Sequence, residues 1–201
     1  MRLLCRILAY LQGDGKDMGK ETEEIIMAGF GGQGILFLGK VLAETGMMTG
    51  QNVSWIPAYG PEMRGGTANC SVVISKHEIA SPIVTEPDTL IAMNIPSVAK
   101  FIDKIRPGGT LIYNSSLIDQ KEFRSDIKVC AIPANELAAE AGSDKTANVV
   151  MAGAYARFSD MMNFDAFLKA FPSLVPAKKK DLLEINLAAL KKGYDCANSA
   201  H

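Results

Sequence analysis

A glycine-rich turn between two apolar segments constrains this chain more than any other feature of its sequence. Residues 25–28 (IIMA) are a short apolar run, which is typical of a buried parallel strand. The sequence GFGGQG follows at residues 29–34, and residues 35–48 then predict a helix whose few polar side chains are chiefly Lys40 and Glu44. A strand, a glycine turn and an apolar helix in this order predict a sheet that is covered by helices.

The rest of the chain alternates strands with helices. This alternation predicts the α/β fold class: a doubly wound, mainly parallel sheet with helices on both faces (Rossmann-like), with one antiparallel excursion near residues 67–84. Residues 1–22 are expected to be an N-terminal extension or linker, 23–195 a single α/β domain and 196–201 a C-terminal tail. The predicted strands are 25–28, 53–56, 67–74, 89–93, 110–113 and 127–132, and the predicted helices are 35–48, 96–104, 136–141, 146–162, 164–171 and a last one from Pro176 to Gly193.

Two of these helices carry local signals. Asn163 is expected to cap the helix that starts at Phe164. The helix predicted over residues 146–162 contains small side chains, which allow a neighbouring element to approach closely: Ala147, Ala152, Gly153, Ala154 and Ala156.

Composition excludes several classes of function. The net charge of −1 provides no basic field for nucleic acid, and no run approaches the ~20 apolar residues that a membrane helix needs. Four cysteines are scattered without zinc or iron–sulfur spacing and only two histidines are present, so we expect no metal site. Scattered thiols without a secretory signal predict a soluble protein of the reducing cytoplasm. Cys70 is expected to be a small buried apolar residue.

The glycine-rich turn can bind an anion. Glycines let the backbone approach a phosphate, and the free amides with the helix dipole favour a negative charge by roughly 0.3–1 kcal/mol at surface sites. A tight turn that only packs the helix on the strand is the alternative. A dinucleotide site also needs an acidic residue at the end of the second strand, where residues 55–58 (WIPA) have none. The sequence therefore argues against NAD.

A second loop, residues 59–66 (YGPEMRGG), is rich in turn residues. Loops that follow the strands of a doubly wound sheet meet at one edge, so this loop, the glycine-rich turn and Asn94 are all expected there. Arg64 beside glycine amides could grip a phosphate or carboxylate at two points. Its alternatives are an ion pair with Glu62 or exposure to solvent.

Three segments carry a resemblance to a known family: residues 29–34, 59–75 (YGPEMRGGTANCSVVIS) and 91–97 (IAMNIPS). From about Glu23 to Leu190 the chain resembles the gamma subunit of 2-oxoacid:ferredoxin (acceptor) oxidoreductases, of the 2-oxoglutarate or branched 2-oxoacid type. The resemblance implies a multi-subunit enzyme that oxidatively decarboxylates a 2-oxoacid, forms an acyl-CoA and reduces ferredoxin. It implies alpha and beta catalytic subunits and a ferredoxin-like delta subunit as partners, with thiamine diphosphate, Mg and iron–sulfur clusters on those subunits.

The inventory of residues agrees with a chain that is not catalytic by itself. The Gly13-Asp14-Gly15 sequence is similar to the start of a thiamine diphosphate motif, but residues 38–45 hold no asparagine and no strand precedes it. We interpret it as a linker turn. No nucleophile–base pair, carboxylate dyad or cluster ligand set is found, so we predict no catalytic residue and no cofactor held by this chain alone.

The resemblance also implies a contact with CoA, because the family's gamma domain is similar to a domain that helps to form the CoA site in single-chain pyruvate enzymes. The predicted cofactor-binding residues are Gly29, Gly31, Gly32, Gln33, Gly34, Tyr59, Arg64, Gly65, Gly66 and Asn94. Two other interpretations stay open: a subunit of an indolepyruvate-type oxidoreductase, and a stand-alone nucleotide-binding module.

Overall fold

The computed structural model describes residues 20–59, 67–175 and 180–199. Within them the strands form one six-stranded sheet in the order β2-β3-β1-β4-β5-β6. Strands β1, β4, β5 and β6 are parallel, whereas β3 runs antiparallel to its neighbours β1 and β2. The strands are β1 (Thr22–Phe30), β2 (Asn52–Tyr59), β3 (Thr67–Ser75), β4 (Thr89–Ala92), β5 (Thr110–Asn114) and β6 (Lys128–Ile132).

The connection between β2 and β3 explains the antiparallel strand. Only residues 60–66 separate the two, and a parallel pair would need a crossover of about a dozen residues or more. The fold class and its antiparallel excursion are therefore confirmed. The helices are α1 (Ile35–Met48), α2 (Ile95–Phe101), α3 (Ala134–Glu140), α4 (Ala147–Phe158), α5 (Phe164–Leu174) and α6 (Lys180–Ser199), with short 3₁₀ turns at Ile102–Lys104 and Asp144–Thr146.

Alternate residues of β1 face two separate cores. Ile25 and Met27 pack with α1 and α4 on one face of the sheet, whereas Ile26 and Ala28 pack with α2 on the other. Most residues of α4 are buried, so this helix is the centre of the first core. The alternation along β1 follows from the two-residue period of a strand.

The helices that follow β1 and β4 cover opposite faces of the sheet. These neighbouring parallel strands lead to helices on opposite faces, α1 after β1 and α2 after β4. Such a switch point leaves a crevice at the carboxyl ends of the strands, where ligands bind in open α/β sheets. The fold thus places the glycine-rich turn and Asn94 side by side.

The sequence predicted that the last helix ends at Gly193, but α6 continues to Ser199. Gly193 is instead a contact point with α4: a Cβ there would lie 1.8 Å from the carbonyl oxygen of Val150. Gly153 on α4 has the reciprocal position, since its Cβ would lie 1.9 Å from the carbonyl oxygen of Leu190. The two helices therefore cross with their backbones in contact, and the close approach expected from small residues on α4 is confirmed.

Ser159 ends α4 earlier than predicted. Its hydroxyl donates to Glu23 (Oγ to Oε2, 2.8 Å) and accepts from the backbone amides of Met161 and Met162. These bonds hold residues 159–162 as a turn between α4 and α5. The predicted cap of α5 is confirmed, because the Asn163 side chain accepts from the amide of Ala166 at 3.0 Å.

Residues 1–19 lie outside the described part of the chain, so the boundaries given for the extension, the domain and the tail stay predictions. None of the helices in the described residues combines the length and the apolar character that crossing a membrane requires.

Candidate functional site

The glycine-rich turn depends on glycine at two positions. Gly32 and Gly34 have φ angles of +100° and +72°, in the left-handed region that favours glycine. A Cβ on Gly34 would also lie 2.4 Å from Nδ2 of Asn148, at the start of α4. Gly34 precedes α1 without providing a side-chain cap, and the first turn of α1 has no acidic residue. The amide end of α1 is therefore available to an anionic ligand.

Gln33 and Asn94 join the ends of β1 and β4. The Gln33 Oε1 atom accepts from the amide of Phe30 at 2.7 Å and from Nδ2 of Asn94 at 3.2 Å. Asn94 is almost fully buried, and its Oδ1 caps α2 by accepting from the amide and the hydroxyl of Ser97. Gln33 lines the cleft described below, whereas Asn94 is buried beside it, and the polar atoms named here bond to the protein itself. In this structure the hydrogen bonds of Gln33 and Asn94 fix the shape of the glycine-rich turn.

Gly29 supports the same arrangement. A Cβ at this position would lie 2.7 Å from Oε1 of Gln33 and 2.7 Å from Cδ1 of Ile35. The absence of a side chain therefore lets Gln33 fold back over the end of β1.

The second predicted loop begins and ends at the edge that carries the glycine-rich turn. In the sheet register Tyr59 is paired with Ala68, and Thr67 is paired with Phe30. The ends of the loop thus lie next to the end of β1, as the sequence predicted. Arg64, Gly65 and Gly66 lie outside the described residues, so their contacts stay predictions.

An open cleft of about 390 Å³ lies between the glycine-rich turn and the start of α4. Asn148 joins its two walls, because its Nδ2 donates to the carbonyl oxygen of Gly34 at 3.1 Å. The residues that line the cleft are Gly32, Gln33, Gly34, Met93, Leu117, Asn135, Asp144, Lys145, Ala147 and Asn148. Segments between residues 93 and 148 thus contribute one side of a site whose other side is the turn.

Sequence reasoning missed Leu117, Asn135, Lys145 and Asn148 as site residues. They follow β5, follow β6 or lie at or just before the start of α4, and only the fold brings these segments to one edge. A signal was present, because the carboxyl ends of β5 and β6 belong to the same edge as that of β1 in a parallel sheet.

A hydrogen-bond network fixes one of these residues. Asn114, fully buried at the end of β5, donates from Nδ2 to Oδ1 of Asn135 at 3.0 Å. Its own Oδ1 accepts from the amides of Ser116 and Ala134, both at 3.2 Å. The ends of β5 and β6 are therefore joined, and Asn135 is held at the wall of the cleft.

The described lining of the cleft offers amide, carboxylate and ammonium groups but no Cys, Ser, Thr or His side chain. Burial raises the pKa of Cys70 to about 12 and that of Cys130 to about 11, so both thiols stay protonated at neutral pH. The expectation that Cys70 is a buried apolar residue is confirmed, since it is 0% exposed. In the described ranges, no three or more His, Cys, Asp or Glu side chains are grouped so that they could hold a metal ion.

A doubly wound sheet with a glycine-rich turn at its switch point defines the class of α/β ligand-binding domains. Comparison with known proteins is more specific. The chain belongs to the family described as pyruvate ferredoxin/flavodoxin oxidoreductase, whose model matches residues 24–196.

Individual relatives agree with this assignment. The ketoisovalerate oxidoreductase subunit VorA of Methanothermobacter marburgensis is 38% identical over 172 residues, which are 85% of this chain and 36% of VorA. The 2-oxoglutarate synthase subunit KorC of Methanocaldococcus jannaschii is 33% identical over 181 residues, which are 89% of this chain and 95% of KorC. The chain thus spans about a third of the length of VorA and nearly all of KorC.

A solved structure shows the same fold. The gamma subunit of a keto/oxoacid ferredoxin oxidoreductase from Geobacter sulfurreducens superimposes with a TM-score of 0.77 at 28% identity, covering 89% of this chain and 99% of that one. The resemblance to gamma subunits stated from the sequence is confirmed.

Proposed function

We propose that this chain is the non-catalytic gamma subunit of a multi-subunit 2-oxoacid:ferredoxin oxidoreductase. Such an enzyme oxidatively decarboxylates a 2-oxoacid, transfers the acyl group to CoA and reduces ferredoxin. The proposal rests on the cleft of a chain of this family. The cleft offers the glycine-rich turn to an anion such as a phosphate, and its described lining has no Cys, Ser, Thr or His side chain. Chemistry of this kind requires cofactors, and the partner subunits supply them.

We favour 2-oxoglutarate as the substrate of the complex. KorC, a subunit of 2-oxoglutarate synthase, matches this chain over 95% of its own length and so has the same size and extent. A branched 2-oxoacid is the second candidate, because VorA is slightly more similar in sequence. Substrate contacts fall mainly on the catalytic subunits, so the assembled complex decides between the two.

The expected partners are alpha and beta subunits that carry thiamine diphosphate and Mg, and a ferredoxin-like delta subunit with iron–sulfur clusters. We place the complex in the cytoplasm. Within it this chain contributes to assembly and to the CoA site. The proposed CoA contacts are the glycine-rich turn (Gly29, Gly31, Gly32, Gln33, Gly34), the second loop (Tyr59, Arg64, Gly65, Gly66) and Asn94.

The test is purification of the affinity-tagged chain from its native host, followed by identification of the proteins that accompany it. We expect thiamine- and cluster-bearing subunits and CoA-dependent oxidation of 2-oxoglutarate. A complex that oxidises only arylpyruvates, with a fused cluster-bearing large subunit, would favour the indolepyruvate-type alternative. A chain that comes alone from gentle lysates and binds a nucleotide tightly would favour the stand-alone module.

A further inference from the structure

We propose that Asn148 is a positioning residue for the binding of CoA. Its side chain holds the last peptide of the glycine-rich turn so that the backbone amide of Ile35 faces the ligand. The inference rests on the proposed function and adds to it a residue that acts through the turn. Asn148 is the second residue of α4 and stands 114 positions after Gly34 in the chain.

The contact that carries the inference is a hydrogen bond between α4 and the turn. Nδ2 of Asn148 donates to the carbonyl oxygen of Gly34 at 3.1 Å. The same oxygen accepts from the backbone amide of Leu38 at 2.9 Å, in the first helical bond of α1. Asn148 is 5% exposed, so solvent has little access to its side chain. Two donors from two helices therefore fix the direction of this carbonyl group.

The direction of the Gly34 carbonyl group determines the direction of the next amide. The peptide between Gly34 and Ile35 is planar and trans, so its N–H points opposite to its C=O. The carbonyl group points along α1 toward Leu38, and the amide of Ile35 therefore points out of the amino end of the helix. Ile35 is the first residue of α1, where an amide has no acceptor within the helix. This amide can thus donate to a phosphate that is bound at the turn.

The other part of the turn is held without Asn148. The Gln33 side chain accepts from the amide of Phe30 and from the side chain of Asn94, and neither bond involves α4. Loss of the Asn148 bond should therefore leave the turn in place and release only the peptide at Gly34. The side chain of Asn148 controls the direction of one amide, whereas Gln33 and Asn94 support the turn as a whole.

A purely structural link between α4 and α1 is the alternative. Such a link predicts a loss of stability when the hydrogen bond is removed, but no selective effect on CoA. Asn163 provides the matched comparison, because its side chain also makes a hydrogen bond to the backbone, with the amide of Ala166 at 3.0 Å. It lies beyond the opposite end of α4, away from the cleft.

The test uses the assembled complex with CoA and with pantetheine, which lacks the phosphates and the adenosine, as acyl acceptors. We expect Asn148→Ala to raise the KM for CoA roughly three- to tenfold, the range for one net hydrogen bond, with little change in kcat or in the KM for the 2-oxoacid. Kinetics with pantetheine should stay as in the wild type. Asn148→Leu keeps a similar side-chain shape without the donor and should raise the KM for CoA in the same way. Asn163→Ala should lower the melting temperature and leave the KM for CoA unchanged.

The KM does not depend on how much of the complex assembles, so a variant that folds in low yield still gives a result. An unchanged KM for CoA in both Asn148 variants, or an equal change with CoA and pantetheine, would overturn the inference. If the complex nevertheless requires this chain for CoA-dependent turnover, the proposed function stands and only the role of Asn148 is wrong. If the complex is fully active without this chain, the proposed function itself fails.

Discussion

At the scale of single residues, Gly34 meets two requirements at once. Its φ angle of +72° disfavours other residues, and the space where a Cβ would stand is taken by Asn148. Gly50 has a similar φ angle of +80° but no atom within 4 Å of its Cβ position. The pair therefore separates the effect of backbone conformation from the effect of packing.

We predict that Gly34→Ala destabilises the chain more than Gly50→Ala. The left-handed conformation should cost each variant ~1–2 kcal/mol, and crowding against Asn148 should cost Gly34→Ala a further ~1–3 kcal/mol. Thermal unfolding of the two purified variants measures the difference. Equal melting temperatures would show that α4 can move away from the turn at little cost.

Glu23 makes stability depend on pH. It is 1% exposed, and burial raises the pKa of its carboxyl group, against the opposing effects of Lys20 and the Ser159 hydroxyl. The folded state therefore binds the proton more tightly than the unfolded state does. The resulting destabilisation is absent below the ordinary pKa of 4.5 and complete once the pH exceeds the raised pKa.

Glu23→Gln removes the buried charge, so its melting temperature relative to the wild type should be higher at pH 8 than at pH 4.5. Thermal unfolding at the two pH values measures this change, with Glu86→Gln at an exposed position as the control. A difference between variant and wild type that is the same at both pH values would refute the assignment.

At the scale of the elements, the crossing of α4 and α6 depends on Gly153 and Gly193. A Cβ atom at either position would lie within 2 Å of a carbonyl oxygen of the other helix. Backbone atoms cannot rotate away as a flexible side chain can, so the helices would have to separate.

We predict that Gly193→Ala lowers the free energy of unfolding by roughly 3 kcal/mol, at the upper end of the cost of overpacking. For a chain of this size that corresponds to a melting temperature lower by ~6–12 °C. Lys191→Ala, two residues earlier on the exposed side of α6, should have almost no effect. A Gly193→Ala variant as stable as Lys191→Ala would contradict the backbone contact.

The same two glycines show what the sequence could and could not predict. The small residues of α4 correctly predicted a close neighbour, but glycine is also a common helix terminator, and Gly193 was assigned that role. Nothing local distinguishes the two uses, because the distinction lies in whether another helix covers the glycine.

The candidate site was also predictable only in part. The glycine-rich turn and Asn94 were predictable because a strand, a turn and a helix stand next to one another in the sequence, and the rules of doubly wound sheets then bring the two strand ends together. Leu117 follows β5, Asn135 is at the start of α3 and Lys145 lies in the 3₁₀ turn before α4. Their proximity depends on the order of the strands and on the position of α4. Only long-range structure joins them to the turn.

At the scale of the whole molecule, the described lining of the cleft and the family relationship both favour a binding role for this chain. In the proposed function the chain provides an edge with binding groups, and partner subunits provide the chemistry. An exposed Trp55 and Ile56 on the edge strand β2 leave apolar surface at one end of the sheet.

The most direct test measures CoA- and ferredoxin-dependent oxidation of 2-oxoglutarate by the purified complex with and without this chain. We predict that the complex without it has lost most of its turnover, and that adding the purified chain restores the rate. Full turnover with CoA in its absence would contradict the account.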